Sequence, residues 1–327
     1  MKIGKIPNST LEKLILNKIQ SNRSEVILRP GIGEDCSAVE FGKYACVLST
    51  DPITGTANEI GKLAVHINCN DIASCGVEPI GLMVTILCPP GAAEQDLESI
   101  MDQLCSTAAS INVDILGGHT EVTSAVTRFV ISCTAIGRCL RGKMISTSGA
   151  KRGDSLVLTK HAGLEGASII AREKEKELSS GLGCEIVSEA KEYINSLSVV
   201  KEGLEAARFG VNAMHDVTEG GVLGAVWEIC DASGNGCEID LGKIPVAMPT
   251  RRICGFYKID PYKLISSGCM LISAEDGNGL VRHLKNAGID AAVIGRLNGT
   301  SQRTMVSEGK TEPILQPSAD ELYKVIK

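Results

Sequence analysis

The chain has 327 residues, of which 43% are apolar and 22% charged, with a formal net charge of −6. This length and composition predict two domains with apolar cores and exclude a disordered chain. The acidic balance and the lack of a dense basic run argue against nucleic-acid binding. No run reaches the ~18 apolar residues that a membrane span needs, so no membrane partner is expected.

Cysteine usage bears on the cellular compartment. Thirteen cysteines lie between Cys36 and Cys269, and none forms a Cys-x-x-Cys pair. This spacing argues against zinc ribbons and thioredoxin-like redox sites. The N-terminal sequence has no apolar signal-peptide core. We therefore expect a cytoplasmic protein with reduced thiols, most of them acting as small buried apolar residues.

Helices and strands alternate in the first half of the chain. Ser9-Thr10-Leu11-Glu12 fits a capping box and predicts the first helix. An apolar run predicts a buried strand over 44–49, and Pro52 is expected to block its continuation. Further predicted elements are a helix over 59–74, a strand over 83–87, a helix over 93–110, a strand over 113–116 that ends in a turn at 117–121, and a strand over 128–136.

The composition changes to Ser, Gly and Lys around 142–153, which predicts a domain boundary and domains of residues 1–145 and 146–327. Strands are predicted at 155–159, 211–214, 238–241, 270–273 and 292–294. Helices are predicted at 164–174, 185–197, 200–208, 222–230 and 279–287. The alternation in both halves predicts an α/β fold class.

Acidic residues recur at the ends of predicted elements, next to Gly, Thr or Asn. They are Asp35, Asp51, Asp71, Glu121 and Asp216. Carboxylates gathered in this way are the ligands that Mg²⁺ prefers, and the ion would bind a triphosphate. The alternative is that each acid is a helix cap or a solvated loop residue. Both interpretations stay open for each acid taken singly.

The segment from Asp216 to Gly221 directly precedes an apolar helix. Two glycines allow close backbone approach, and a helix N-terminus offers N–H groups to an anion. The alternative is an ordinary helix start with Thr218 as the N-cap residue. His119 and His215 both lie in turns that carry Gly and acidic residues. The chain has no Walker A motif, no dinucleotide-binding glycine fingerprint and no serine-hydrolase elbow.

The ordered series of motifs resembles the aminoimidazole ribonucleotide (AIR) synthase superfamily, which includes HypE, thiamine-monophosphate kinase and selenophosphate synthetase. The resemblance covers about residues 25–300. The segment with Gly61-Lys62-Leu63-Ala64-Val65 and Asn70-Asp71-Ile72-Ala73 is the most specific, and it looks most like HypE. The other matching motifs are Gly33-Glu34-Asp35-Cys36-Ser37, Ser49-Thr50-Asp51, Gly76-Val77-Glu78-Pro79, Gly117-Gly118-His119-Thr120 and Asp216-Val217-Thr218-Glu219-Gly220.

This resemblance implies a PurM-like N-terminal α/β domain whose sheet forms an intersubunit β-barrel in a homodimer, followed by a PurM-like C-terminal α/β domain. ATP and Mg²⁺ would lie in the cleft between the domains. By resemblance, the Mg²⁺ ligands would be Asp35, Asp51 and Asp71. The residues that bind the nucleotide would be Thr50, Asn70, Gly117, Gly118, Thr120, Asp216, Thr218 and Glu219.

The implied chemistry is ATP-dependent activation of an oxygen of an acceptor by phosphorylation, as in hydrogenase maturation by HypE. Candidate catalytic residues are His119, which stands where HypE carries an acid, and Glu121, which would compensate for it. HypE proteins end in a cysteine that carries a carbamoyl group, but no cysteine follows Cys269 here, so the acceptor stays open. Alternatives are a kinase like thiamine-monophosphate kinase, or a nucleotide-binding protein with little turnover that engages another maturation factor.

Overall fold

The computed structural model describes residues 6–20, 22–54, 59–316 and 319–326. Two β-sheets organise the chain, one built from residues 26–140 and the other from residues 155–313. Helices pack on each sheet, and separate apolar clusters fill the space between them. The predicted α/β fold class is therefore confirmed. None of the helices in these ranges is long and apolar enough to cross a membrane.

The first sheet has six strands in the order β1-β2-β3-β6-β4-β5. Neighbours are antiparallel except for β4 and β5, which are parallel. The strands are β1 (Val26–Leu28), β2 (Ser37–Phe41), β3 (Tyr44–Ile53), β4 (Pro79–Cys88), β5 (Asp114–Val122) and β6 (Val130–Leu140). The helices of this half are α1 (Asn8–Leu14), α2 (Ile60–Ser74) and α3 (Glu94–Ser110).

Helices α2 and α3 cover one face of this sheet. Alternate side chains such as Val47, Val84 and Cys133 point toward α2 and are buried in a shared apolar cluster. The intervening side chains form the opposite face, where among the described elements no helix packs, and Met83 there is 43% exposed. The described residues therefore leave one broad face of this sheet without a partner.

The second sheet has seven strands in the order β13-β12-β9-β11-β7-β10-β8, and only the β9–β12 pair is parallel. Its strands are β7 (Ser155–Thr159), β8 (Ala213–Asp216), β9 (Gly236–Asp240), β10 (Met270–Ala274), β11 (Ala291–Asn298), β12 (Arg303–Ser307) and β13 (Lys310–Pro313). Its helices are α4 (Leu164–Glu173), α5 (Glu175–Leu182), α6 (Cys184–Glu192), α7 (Val200–Phe209), α8 (Gly221–Ser233), α9 (Met248–Tyr257) and α10 (Gly277–Asn286).

The two halves meet where α2 lies against α7. A side chain at Gly203 of α7 would collide with the Ala73 carbonyl of α2, so the helices approach at backbone distance. Next to this contact, the Asn70 amide nitrogen donates to the Leu197 carbonyl at 2.8 Å, and the Val199 amide donates to the Asn70 oxygen at 2.8 Å. These contacts join the end of α2 to the second half of the chain.

Two predicted boundaries are wrong at the start of the chain. The predicted block at Pro52 does not occur, because β3 continues to Ile53 and Pro52 pairs with Ser132. Strand β2 pairs with β3 no further than Leu48. Pro52 therefore has no neighbouring strand on that side, and its missing N–H removes no hydrogen bond there. The capping box is also wrong, because the helix starts one residue before Ser9, with Pro7 in the N-cap position.

The predicted turn at 117–121 is instead part of strand β5, which continues to Val122. Gly118 lies beside Val84 of β4, and a Cβ at that position would collide with the Val84 carbonyl. The glycines that predicted a turn thus permit close strand pairing. The predicted helix over 185–197 ends early, at Glu192, and continues as a 3₁₀ turn. Helices α5 and α9 and strands β1, β2, β12 and β13 were not predicted.

Candidate functional site

Asp71, in the last turn of α2, lies at the centre of an acidic cluster. It is 4% exposed, and its Oδ2 accepts a hydrogen bond from the Ser49 hydroxyl of β3. Burial raises the pKa of Asp71 well above its usual range, and the carboxylates of Asp216, Asp51 and Asp35 raise it further. Four carboxylates from both domains therefore act on one another at this junction.

His215, at the end of β8, joins this cluster to the second domain. Its Nδ1 lies 2.9 Å from Asp35 Oδ2, and its Nε2 lies 2.9 Å from Glu228 Oε2 of α8. Burial lowers the pKa of His215, but the two carboxylates outweigh this effect and leave the pKa well above its usual range. His215 therefore bridges two acids, and its protonated form would offset part of their negative charge.

The loop that carries Asp35 is held from several sides. Gly33 has a φ of +77°, and a Cβ there would lie 3.2 Å from the Glu228 carbonyl, so the loop packs closely on α8. The Glu34 carboxylate accepts hydrogen bonds from the backbone amides of residues 147 and 148, at 3.3 Å and 3.1 Å. The Ser74 hydroxyl donates to Asp35 Oδ2 at 3.0 Å. These contacts fix the Asp35 carboxylate relative to α2 and α8.

The donor set fits a hard divalent cation. Ligand atoms of Asp35, His215 and Asp216 lie within 4.8 Å of one another. Both ring nitrogens of His215 face carboxylates, so the carboxylate oxygens are the candidate ligands. Carboxylate oxygens are the ligands that Mg²⁺ prefers, and a cation would relieve the repulsion that raises the pKa of Asp71. Of the predicted metal ligands, Asp35 and Asp71 lie within the cluster. Asp51 is exposed at its margin but near enough to raise the pKa of Asp71.

The backbone amides at the start of α8 are largely occupied. Gly220 N donates to Asp320 Oδ2 at 2.7 Å, and Gly221 N donates to the Thr218 carbonyl at 3.0 Å. The amides of residues 223 and 224 donate to the carbonyls of Tyr262 and Gly220. The N-cap residue of α8 is Gly220, so Thr218 is not the N-cap. This helix start therefore offers few free N–H groups to an anion. Ligand binding at the cluster would depend on side chains instead.

Other predicted nucleotide residues already have hydrogen-bond partners within the protein. The Thr50 hydroxyl donates to the Cys133 carbonyl at 2.9 Å, and the Asn70 amide is engaged on both sides by the 197–199 segment. Glu219 Oε1 accepts a hydrogen bond from the Tyr323 hydroxyl at 2.7 Å. Thr218 is half-buried in the loop that follows β8. Thr50 precedes Asp51 in β3, and Glu219 follows Asp216 by three residues.

The Gly117–Thr120 segment is not brought to the acidic cluster within one chain. Gly118 aligns with Val84, Cys133 and Asp51 across four adjacent strands. Three strand spacings separate Gly118 from Asp51, which is about 14 Å at ~4.8 Å per spacing. His119 Nε2 lies 3.3 Å from Glu121 Oε2, and both side chains are exposed on this edge strand.

Two residues of the cluster were absent from the predicted site, His215 and Glu228. His215 carried a signal, since it directly precedes Asp216 in a turn with glycines and an acid. Glu228 also carried one, because it is the single charged residue in the apolar stretch 221–230. A charged side chain on a buried helix face needs a partner, and periodicity alone does not identify that partner.

Family comparisons agree with this architecture. The model for the AIR synthase related protein N-terminal domain matches residues 33–139, and that for the C-terminal domain matches residues 151–307. The chain belongs to the AIR synthase related family, with two PurM-like domains, as the resemblance implied. A putative hydrogenase expression/formation protein of Methanocaldococcus jannaschii is 28% identical over 300 residues, which are 87% of each chain. Carbamoyl dehydratase HypE of Rhizobium leguminosarum is 27% identical, covering 81% of this chain and 77% of HypE.

Solved structures share the fold. HypE in a HypE–HypF complex matches with a TM-score of 0.76 and 22% identity, covering 94% of this chain and all of that one. HypE in complex with ATP matches with a TM-score of 0.69 and 20% identity, over 96% of each chain. A thiamine-monophosphate kinase (AaThiL) complexed with AMPPCP and TMP matches with a TM-score of 0.75 and 20% identity, over 95% of this chain and 96% of the kinase.

Proposed function

We propose that the protein is an ATP- and Mg²⁺-dependent enzyme of HypE type. The observation that carries this proposal is the interdomain cluster of Asp35, Asp71 and Asp216 with Asp51 at its margin. The similarity to proteins named carbamoyl dehydratase HypE supports the reaction type, and a HypE–ATP complex of the same fold supports the nucleotide.

The residues of the cluster have distinct tasks in this proposal. Asp35, Asp71 and Asp216 would hold Mg²⁺, and Asp51 would contribute from the margin. The bound ion would neutralise phosphate charge and polarise the transferred group. His215 and Glu228 position Asp35 across the domain junction, because the imidazole contacts both carboxylates at 2.9 Å. The fixed loop around Asp35 keeps the ligands in place before the nucleotide arrives.

The proposed acceptor chemistry is the phosphorylation of a carbonyl oxygen. A carbamoyl group loses water to become a nitrile only when its oxygen becomes a good leaving group. Transfer of the ATP γ-phosphoryl group to that oxygen would create a phosphate leaving group, and the amide nitrogen would lose its protons as the C≡N bond forms. We propose a carbamoyl acceptor carried by a thiol, by similarity to the named relatives.

We also propose a maturation-factor partner and a cytoplasmic location. The partner proposal is supported by a solved complex of the similar protein HypE with HypF. The location is supported by the thirteen cysteines, all of which are free thiols in the structure. Free thiols in this number are typical of a reducing compartment.

A homodimer would complete the site. The exposed face of the first sheet, with Met83 at its centre, has no helix over it, and its edge strand β5 carries Gly117–Thr120 about 14 Å from Asp51. We propose that two copies pair through this face, which would bring β5 of one copy toward the acidic cluster of the other. His119 and Glu121 would then act across the interface.

The first test is isothermal titration of the protein with a non-hydrolysable ATP analogue, with and without Mg²⁺. We expect Mg²⁺-dependent binding by the wild type. Asp71→Asn should weaken it at least about tenfold, because the substitution removes one negative charge from the metal site. Asp102→Asn, an equivalent change at an exposed position of α3, is the control and should bind normally. Equal affinity of Asp71→Asn and wild type would contradict the metal assignment.

The two alternatives predict different results in turnover assays. A thiamine-monophosphate-kinase-like enzyme would convert thiamine monophosphate with ATP, which a HypE-type enzyme would not. A partner protein with little turnover would bind the nucleotide tightly yet hydrolyse none with any carbamoyl or thiamine substrate. ATP consumption that depends on a carbamoylated thiol peptide would support the HypE-type proposal.

A further inference from the structure

A cavity lies between α2, α3 and the 193–198 turn. Its volume is about 310 Å³. Most of its lining residues carry hydroxyl, amide or basic groups, and the ones that matter here are Lys62, His66, Ser106, Thr107, Asn195 and Ser198. None of them belongs to the proposed nucleotide site. These groups can form hydrogen bonds with a polar ligand.

His66 is the buried polar group of this cavity. It is 8% exposed, and its Nδ1 has no hydrogen-bond partner among the described residues. Burial, together with the smaller effect of the charges of Lys160 and Lys62, lowers the pKa of His66 to about 4. The two charged groups that contribute to this shift are both lysines. Cationic groups beside an uncharged imidazole favour an anion over a cation.

The two lysines hold different positions. Lys160 Nζ donates to the carbonyls of Ser196, Ser198 and Gly268 and pairs with Glu202 at 2.8 Å, so it is fixed behind the 193–198 turn. Lys62 lies at the cavity with 30% of its side chain exposed, and it pairs with Glu59 one turn earlier on the chain at 2.9 Å. A partly exposed ion pair of this kind is weak. Lys62 can therefore turn toward an anion at little cost.

We propose that this cavity binds a small oxyanion, namely free phosphate or the phosphate group of a small metabolite. The Lys62 ammonium would supply the charge, since lysine is a common phosphate-binding residue. The Ser198 hydroxyl accepts a hydrogen bond from Val200 N at 3.3 Å, so it keeps its own proton to donate. The neutral His66 imidazole can also donate from one ring nitrogen.

Anion binding at this cavity would affect the acidic cluster through the end of α2. His66 lies one helical turn before Asn70 on α2. Ser198 lies between the two backbone groups that the Asn70 amide binds, at Leu197 and Val199. An anion at Ser198 would therefore contact the same turn that holds the end of α2. Binding at this cavity does not require that the cluster bind a nucleotide.

The test uses protein labelled with ¹⁵N at its five histidines. His66→Gln assigns the His66 resonances, and inorganic phosphate and glycerol 3-phosphate are titrated separately without nucleotide. We expect a saturable shift of the His66 signals. Lys62→Gln should weaken the binding about tenfold, because it removes the single mobile charge. Lys310→Gln, the same change at an exposed position on β13, should leave it unchanged.

The two probes distinguish the sources of the oxyanion. Tighter binding of glycerol 3-phosphate would identify a phosphorylated metabolite as the ligand class, and equal or weaker binding would identify free phosphate. No saturable His66 shift with either probe would overturn the proposal, and so would an equal effect of Lys62→Gln and Lys310→Gln. Asp71→Asn, which impairs the proposed metal site, should leave the His66 shift intact, so failure of the nucleotide proposal would be seen separately.

Discussion

At the scale of single residues, Glu165 at the start of α4 makes stability depend on pH. It is 5% exposed, and burial raises its pKa from 4.5 to about 7, with Asp320 and Glu219 adding to the rise. Between these two values the unfolded chain releases the proton and the folded protein keeps it. The contribution of this group to stability is therefore complete below about pH 4.5 and is lost as the pH rises through about 7.

Glu165→Gln, which stays neutral, should remove this loss. We expect it to be more stable than the wild type at pH 8, by up to roughly 3 kcal/mol, and to lose this advantage at pH 4.5. Urea unfolding at both pH values measures the difference. Glu98→Gln, at an exposed position of α3, is the control. A constant difference between Glu165→Gln and the wild type at both pH values would show that the carboxyl is not the cause.

The sequence could predict residues of the site where a local pattern carries the signal. Asp35, Asp71 and Asp216 stand at the ends of elements, and the structure places all three at one junction. Partners that are distant in sequence could not be predicted. Asp320 binds the amide of Gly220 one hundred positions earlier, and only the folded second domain brings them together.

At the scale of elements, the contact between α2 and α7 depends on Gly203. A Cβ there would collide with the Ala73 carbonyl, which a helix backbone cannot move aside. Gly203→Ala should therefore lower the free energy of unfolding by roughly 1–3 kcal/mol, although alanine is the better helix former. Gly255→Ala in α9, where nothing lies within 4 Å of the added Cβ, should be stabilising by about 0.5–1 kcal/mol.

Thermal or urea unfolding of the two alanine variants tests this contact. Because both substitutions are in helices, their helix-propensity effects match, and the difference between them isolates the close approach. Equal stability of the two variants would mean that α7 is not held against α2 at backbone distance. Loss of nucleotide binding in Gly203→Ala alone would further link this contact to Asn70 and Asp71, which lie on α2 with Ala73.

Most elements could be predicted from periodicity, and the exceptions have physical causes. Strand β5 contains a Gly-Gly pair that is typical of a turn, but pairing with β4 overrides this local preference. Strand β3 passes through Pro52 because the edge beside it is unpaired. Strands β12 and β13 are half-buried or exposed, so their sequences lack the continuous apolar run that predicted β10.

At the scale of the whole molecule, the uncovered face of the first sheet is the feature that a single chain leaves incomplete. Leu48, Met83 and Ile136 lie on this face, and across it Thr50 aligns with Gly117 through three strand pairings. A sheet with one apolar face in water is stabilised when a second layer covers it. Pairing of two copies would supply that layer and would also bring together the separated motifs of the predicted site.

Met83→Lys should therefore both separate the dimer and weaken Mg²⁺-dependent nucleotide binding. Light scattering should give a mass of twice 34.5 kDa for the wild type and one chain mass for the variant. Leu315→Lys, at an apolar position that is 76% exposed in the second domain, is the control and should change neither property. A monomeric wild type would contradict the dimer. A monomeric Met83→Lys with full nucleotide affinity would show instead that each acidic cluster works without Gly117–Thr120 of a second copy.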